Sequence, residues 1–599
     1  MAIIASSAET PPAPITKFLG LNEGVGETQL VLGESPYMRN FRITDNGKLQ
    51  KREGYSALFA SLGANKAIRA MWYGKVGSAF YFLFACNGKL YHHNRTTHEN
   101  TEIGSLTDGP TLIFGFQGKA YIADQTEYRS WDGTTYGTVT GYRPLVFVST
   151  PPAGKGTELE SLNQLNGAKR MWFDADGAAT IYQLPEAAIA SVDWVKLNGV
   201  TLTLTTHYTV NLTNGTVSPV SAAAWPTGTP NNIEIAWTKG TGYRSTIAKM
   251  CFAVPYGPAN DTRIFAWGDT SNPNTVRYTG LADGVPSAEY WPSLGAIAVG
   301  SDQSSVMDCM RQQDRLNITT DSGTAWYATS ETVEDALGRI VATFPTYPLH
   351  GAIGSIAPAQ GQLLNNQPVT VWSSGIYAWQ TLGVKDERNA VHISQRVQPS
   401  LDEANLSSAK TVDWDTRGEY WVCVGSDVWI QNYRLDVWYR FDNIPAICFL
   451  VIDGVLYFGT AAGQIHAFNK ELFSDNDTAF TSRWEMAFYG WGLEYMLKST
   501  QRSYVSLLPE AKSHIDVTWE TENETEQSTL VAEYNNLDYG NLDYGNFTYS
   551  SNYSPEPFPL KTKAKKWAYF KIIITNDRAD SGATVLAITI DASVGGRVK

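Results

Sequence analysis

Residues 79–93 read AFYFLFACNGKLYHH. Two β-rich runs meet at Asn87-Gly88, a dipeptide suited to a two-residue hairpin because both positions accept φ > 0. The unit recurs. LIFGFQGKAYIAD at 112–124 turns at Gln117-Gly118, and FLVIDGVLYFGTAAGQIHAFN at 449–469 turns at Asp453-Gly454. After each turn comes a tyrosine: Tyr91, Tyr121 and Tyr457. RIFAWGD (263–269), TDSGTAWYAT (320–329), SSGIYAWQ (373–380) and SDVWIQNY (426–433) are comparable runs. Gly323, Gly375 and Gly425 lie 52 and 50 residues apart. Many short hairpins at loose spacing are what a β-propeller produces, one small sheet per blade. An ordinary array of antiparallel sheets is the competing arrangement. The short strands and aromatic-flanked glycine turns favour the propeller. The expected fold class is all-β: a β-propeller with an inserted small β-sandwich module and a C-terminal β-sandwich domain.

The chain has 599 residues, enough for several domains. Aromatic residues make up 12%, which excludes wholesale disorder. The net charge of −13 and pI near 5.2 argue against a general nucleic-acid binder, which carries a basic footprint. Cys86, Cys251, Cys309, Cys423 and Cys448 are far apart and form no CxxC, so neither a zinc ribbon nor a disulfide scaffold is indicated. Cys86, Cys423 and Cys448 sit in apolar strand-like runs and read as buried free thiols. No apolar run approaches a membrane-spanning length, and MAIIASSAETPPAP lacks a signal peptide's basic and apolar regions. The expectation is no membrane insertion.

Five segments follow. Residues 1–44 read as an N-terminal docking arm, rich in Ala, Ser, Pro and Gly. Residues 45–150 are the first part of the propeller. PPAGKGTELES at 151–161 breaks the rhythm and opens an inserted β-sandwich module, 151–245, with hairpin turns at Asn198-Gly199 and Asn214-Gly215. Residues 246–470 resume the propeller, and 471–599 form a C-terminal β-domain. Tandem NLDYG repeats at 536–545 read as a loop with exposed tyrosines. Asp538 and Asp543 lack the Asp-x-Asp-x-Asp-Gly frame of a calcium loop.

Enzyme signatures are missing. There is no Walker A loop, no GxSxG, no HExxH and no GxGxxG in strand–helix context. His92 and His93 are adjacent on a strand and point to opposite faces, so they do not readily share a metal. No cofactor, metal or catalytic residue is expected. Thr319-x-Asp321-x-Gly323-x-x-Trp326 resembles the Asp box of sialidase propellers, a structural turn in that family. A glycosidase also needs paired carboxyl groups. The candidates near the box are Asp302, Asp308, Asp314, Glu331, Glu334 and Asp335, which read as scattered. Arg39, Arg42, Lys51 and Arg52 form a basic island in an acidic chain and are the candidate interaction residues.

Three stretches resemble a known family. Pro36, Asn40, Phe41, Gly47, Lys48, Leu49, Lys51, Arg52, Gly54 and Tyr55 match the opening motif of phage tail-nozzle and tail-hub propeller proteins. DTRIFAWGDTSNPNTVRYTG with AEYWP is similar to a blade of that family. GVLYFGTAAGQIHAF, followed by the Lys566–Ile574 strand pattern, resembles its last blade and sandwich. The resemblance implies a structural virion protein, not an enzyme. Such a protein forms a ring, commonly a hexamer, at the nozzle of the head–tail connector. It docks head–tail adaptor or tail proteins and tail fibre or plug proteins. DNA passes through its channel at ejection without specific binding. It is assembled in the host bacterial cytoplasm and resides in the virion tail. The alternative reading is a host-surface carbohydrate-binding or glycoside-cleaving propeller.

Overall fold

The computed structural model describes residues 13–63, 65–220, 223–381, 388–510, 512–523, 530–535 and 554–597. Nearly all regular structure is strand. The chain divides into two compact units: residues 1–68, 369–379 and 390–599, and residues 69–368 with 380–389.

In the second unit the hairpin code is obeyed. Cys86 pairs with Lys89, and Phe116 with Lys119, so each turn has two residues. Asn87 and Gly88 have φ of 54° and 68°, Gln117 and Gly118 of 46° and 77°. These left-handed values match the strand twist, which explains why glycine takes the second place. Each hairpin grows into a four-stranded antiparallel sheet. The first sheet holds Ile68–Val76, Ala79–Cys86, Lys89–His93 and Asn100–Ser105. The second holds Leu112–Phe116, Lys119–Ala123, Tyr128–Trp131 and Tyr136–Thr138. The third and fourth begin at Phe252–Tyr256 and Val306–Gln312. In both of these a two-stranded hairpin stands between the third and fourth strands: Gly280–Ala282 with Val285–Ser287, and Glu331–Glu334 with Ile340–Thr343. Successive sheets share cores. Leu83 and Leu90 meet Ile122 and Trp131, Tyr121 and Tyr128 meet Ile264 and Trp291, and Phe265 and Val276 meet Leu316 and Ile318. Small sheets stacked face to face in chain order are the blades of a β-propeller.

The inserted module leaves between the second and third blades. Its six-stranded sheet runs from Leu145–Thr150 to Ile233–Thr238 in sequence, and a three-stranded sheet includes Tyr208–Asn211 and Thr216–Pro219. Phe173, Tyr182, Val195, Val217, Ile235 and Trp237 fill its own core. The second and third blades still pack directly on each other, so the module interrupts the sequence without interrupting the stack.

In the first unit, Lys410–Trp414, Glu419–Val424, Asp427–Asn432 and Val437–Phe441 form a blade rich in buried tryptophan. A further blade contains Cys448–Ile452, Val455–Gly459 and Ile465–Asn469, and its fourth strand is Gly54–Ala57 from near the start of the chain. The tryptophan-rich blade continues through Tyr37–Arg39 into Ser482–Glu485, Phe570–Asn576, Lys512–Thr521 and Leu530–Asn535 as one nine-stranded sheet. A seven-stranded sheet combines Phe41–Ile43, Leu49–Lys51 and Ala13–Ile15 with Thr584–Arg597 and Met496–Leu507.

Two expectations change here. The described part of the 1–44 segment is no arm: its strands pair with residues 437–441, 482–485 and 584–597. The 471–599 region is likewise not separate, because the N-terminal strands complete both of its sheets. The glycine-rich composition of 20–55 belongs to close packing: a Cβ on Gly54 would sit 1.8 Å from Ser474 O. The tandem tyrosine repeats lie outside the described residues.

His466 is buried and stacks on Phe458 with ring centroids 4.9 Å apart. Burial pushes its pKa down to about 4. Between pH 6.5 and 4 the unfolded chain therefore binds a proton that the folded chain does not. The stability this histidine contributes is complete above pH 6.5 and is lost as pH falls toward 4, by up to roughly 3 kcal/mol at about 1.4 kcal/mol per unit. His466→Phe should flatten denaturant-unfolding stability against pH across that window. A wild-type slope retained in the variant would refute this assignment.

Candidate functional site

Of the four candidate cations, Arg42, Lys51 and Arg52 turn inward, while the Arg39 side chain stays 31% exposed. Arg52 is fully buried, its Nη2 2.5 Å from Asp475 Oδ2 and its Nη1 2.8 Å from Asp475 Oδ1. It also donates to Asn40 Oδ1 at 2.9 Å and lies 3.7 Å from the centroid of the Phe480 ring. Lys51 is buried and donates to Asn576 Oδ1, Arg578 O and Ser581 O. Burial, with the neighbouring Arg52, lowers its pKa to about 8. Arg42 reaches Glu419 at 2.8 Å, and Arg39 pairs with Asp442 at 3.1 Å. All four pair within the chain, and among them Arg39 keeps the most exposure. Sequence showed the charges, but the carboxylates and carbonyls that engage them are mostly hundreds of residues away.

The Asp box is a turn, as its spacing implies. Asp321 Oδ1 accepts the Ser305 N–H at 2.7 Å, and Gly323 has φ of 81°. The carboxylates near it disperse. Asp302, Asp314, Glu331 and Glu334 are exposed, while Asp308 is buried beneath Gly361, whose N–H it accepts at 2.7 Å. Burial pushes the Asp308 carboxyl up to about 6, partly offset by the Ser355 hydroxyl and the Gly361 and Gln360 N–H groups.

Asp335 has a different fate. It lines a cleft of about 550 Å³ in the second unit, between the inserted module, the third blade and the Glu331–Thr343 hairpin. Its Oδ1 accepts the N–H groups of Leu337 and Arg339 at 2.9 Å each, and its Oδ2 receives Arg339 Nε at 2.6 Å. Burial would raise this carboxyl, but those donors outweigh it and hold the pKa below the usual range. Across the cleft, Arg339 Nη2 lies 3.5 Å from Glu160 Oε1. Glu160 Oε2 accepts the Leu145 N–H at 2.7 Å and lies 3.0 Å from the Tyr142 hydroxyl. Burial dominates at Glu160 and raises its pKa despite those partners. Tyr142 in turn accepts from Arg170 Nη2 at 3.0 Å, and Arg170 pairs with Glu234 and Asp283. The network binds the module to the hairpins of the third and fourth blades.

Glu160 escaped the sequence reading because nothing local marks it. Only the module's return to the blades brings it to Arg339. The basic island was the stronger sequence signal and proved structural. Among the described residues, no group of three or more His, Cys, Asp or Glu is placed to hold a metal.

No family model matches the chain. No curated protein matches it either. Solved structures align with 69% of it. They include the computationally designed Ika8 protein (9% identity, 99% of that chain, TM-score 0.31) and BamB from Moraxella catarrhalis (12%, 97%, 0.32). A chain of the Mitotic Checkpoint Complex also aligns (10%, 93%, 0.33). These likenesses carry no argument about function.

Two substitutions separate structural charges from functional ones. Arg52→Ala leaves Asp475 buried and unpaired, which should cost about 3–5 kcal/mol of stability. Unchanged unfolding in denaturant would contradict that role. For Asp308 the folded pKa lies above the unfolded one, so its cost is present above about pH 6 and relieved as pH falls toward 3.8. Asp308→Asn should be more stable than wild type at pH 7, with the gain vanishing below about pH 4. A destabilised variant at pH 7 would show that the ionised carboxylate is needed.

Proposed function

We propose that this chain is a structural subunit of a tailed-phage virion, forming a ring at the tail nozzle or hub. One observation carries the reading. The residues through which the sequence resembles that family are those on which this fold depends. Asn40 adopts φ of 56°, donates to Asp442 and receives Arg52. Phe41 and Leu49 are buried, Lys51 and Arg52 bind internal acceptors, and Tyr55 donates to Asn443 O at 2.6 Å. A motif made of fold-determining residues implies a shared architecture, and the architecture supports the shared role.

In this reading the subunit extends the DNA channel, contacts adaptor or tail proteins on one side and fibre or plug proteins on the other, and catalyses nothing. The ring is commonly hexameric in the family. A net charge of −13 per subunit would repel phosphate from a channel wall and let DNA slide. Docking to neighbours falls to surfaces other than the Arg39–Arg52 island, whose cations are engaged internally.

Electron microscopy of the purified full chain tests the proposal. End-on views should show closed rings with a central channel. A strictly monomeric protein at high concentration, with no ring in lysates of producing cells, would refute it. Removing residues 1–57 should abolish folding of the first unit, because five strand pairings go with them.

A further inference from the structure

We propose that a lysine-studded sheet edge in the first unit binds the phosphate backbone of duplex DNA without reading its sequence. The inference rests on that edge alone and stands whether or not the chain forms a ring.

Residues 557–576 hold five lysines and no acidic residue, in a chain with 46 Lys and Arg against 59 Asp and Glu. Lys571 is buried and pairs with Glu485. The other four, Lys561, Lys563, Lys565 and Lys566, are exposed. Arg502 is exposed on the neighbouring strand. Among the described residues, none of these five exposed cations makes an ion pair.

Two irregularities hold these side chains outward. Glu556–Leu560 and Ala564–Trp567 follow one another along the outer side of the Met496–Leu507 strand. Lys498 pairs with Trp567 and Thr500 with Ala564, so Lys565 and Lys566 both stand opposite the single residue Ser499. That is a β-bulge, and Lys566 has φ of 57° within it. In a regular strand successive side chains alternate between faces, and one of this pair would turn inward. Here both are exposed, between the buried Ala564 and Trp567. Lys563 has φ of 47°, and its N–H reaches Gln501 O at 3.3 Å. On its inner side, Met496–Leu507 is irregular against Thr584–Arg597 between Thr500 and Arg502, and Gln501 and Arg502 are both exposed there. Left-handed backbone is unfavourable for lysine, and residues of this kind cluster where function requires a particular side-chain placement.

The chemistry selects the partner. A protein interface gathers aromatic and arginine anchors at its centre and is depleted in lysine. Ammonium groups on flexible stems are point charges, with no fork to clasp one carboxylate or to read a base edge. A row of them suits a polymer charged at every repeat, whose condensed counterions are released on contact. The chain's overall negative charge does not cancel this. At physiological ionic strength, charges more than about 8 Å away are largely screened, so the potential at contact is set by the edge itself. Two carboxylates adjoin it. Glu522 accepts the N–H groups of Ala568 and Tyr569, and Asp591 stands across the ladder from Arg502. Neither forms an ion pair with the five cations. Lysines also guard a sheet edge against pairing with another strand, but a charge of either sign fills that role.

Fluorescence anisotropy of labelled duplex DNA, titrated with the full chain, tests the proposal. Affinity should be the same for duplexes of different sequence. It should fall as salt rises from about 50 to 200 mM, with a slope of log K against log [salt] of about −4.5 for five phosphate contacts. Lys565→Glu with Lys566→Glu should weaken binding roughly tenfold or more. The reversed charges still guard the edge, so unfolding in denaturant should match wild type. Lys75→Glu with Lys155→Glu makes the same change in net charge at exposed positions elsewhere and should bind like wild type. Should the bulge variant fail to fold, Lys561→Glu, which lies outside the bulge, should fold and weaken binding. Absence of saturable binding, a slope near zero, or equal losses in the two double variants would overturn the proposal. So would undiminished binding in folded Lys561→Glu, or binding to phosphatidylglycerol vesicles with none to DNA.

Discussion

The Arg52–Asp475 pair is the constraint on which the first unit depends. A guanidinium with no exposure to solvent is tolerable only when each of its donors is matched. Here Asp475 takes two, Asn40 takes one, and the carbonyls of Glu53 and Asp442 take others. The ring of Phe480 covers its face. Those partners come from the N-terminal strands, from the end of the tryptophan-rich blade and from the segment entering the C-terminal sheets. One buried cation therefore fixes the relation of three stretches of chain that are remote in sequence. Asn40 in the left-handed region and Gly54 against Ser474 follow from it, because the backbone must bring Arg52 in at close quarters.

The second unit is organised differently. Its blades are local: each is a meander of neighbouring strands, the first two with two-residue turns at Asn87-Gly88 and Gln117-Gly118, and only their faces make distant contacts. The non-local polar work is concentrated where the inserted module meets the blades. Tyr142, Glu160, Arg170, Asp283, Asp335 and Arg339 form a chain of ion pairs and hydrogen bonds there. A network of this kind fixes geometry more surely than it adds stability, since its members are partly desolvated.

Two carboxyl groups of the second unit show how position overrides residue type. Asp308 and Asp335 lie 27 residues apart, yet one is pushed up by burial and the other held down by its donors. Burial pushes Asp308 up and arrives through tertiary structure, whereas the donors that hold Asp335 down, the Leu337 and Arg339 N–H groups and the Arg339 guanidinium, lie within four residues of it.

The sequence by itself determined the all-β class, the two-residue turns at Asn87-Gly88, Gln117-Gly118, Asp453-Gly454 and Asn198-Gly199, the break that introduces the module, and the structural nature of the Asp box. These are short-range properties: alternation along a strand and left-handed backbone at a turn are set within a few residues. Tertiary structure alone decided that residues 13–57 are woven through the C-terminal sheets, that the basic island is internal, and that Glu160 faces Arg339. The reason is physical. A charge and its acceptor hundreds of residues apart leave no periodic trace, and burial turns a cation that reads as a docking surface into the centre of a core.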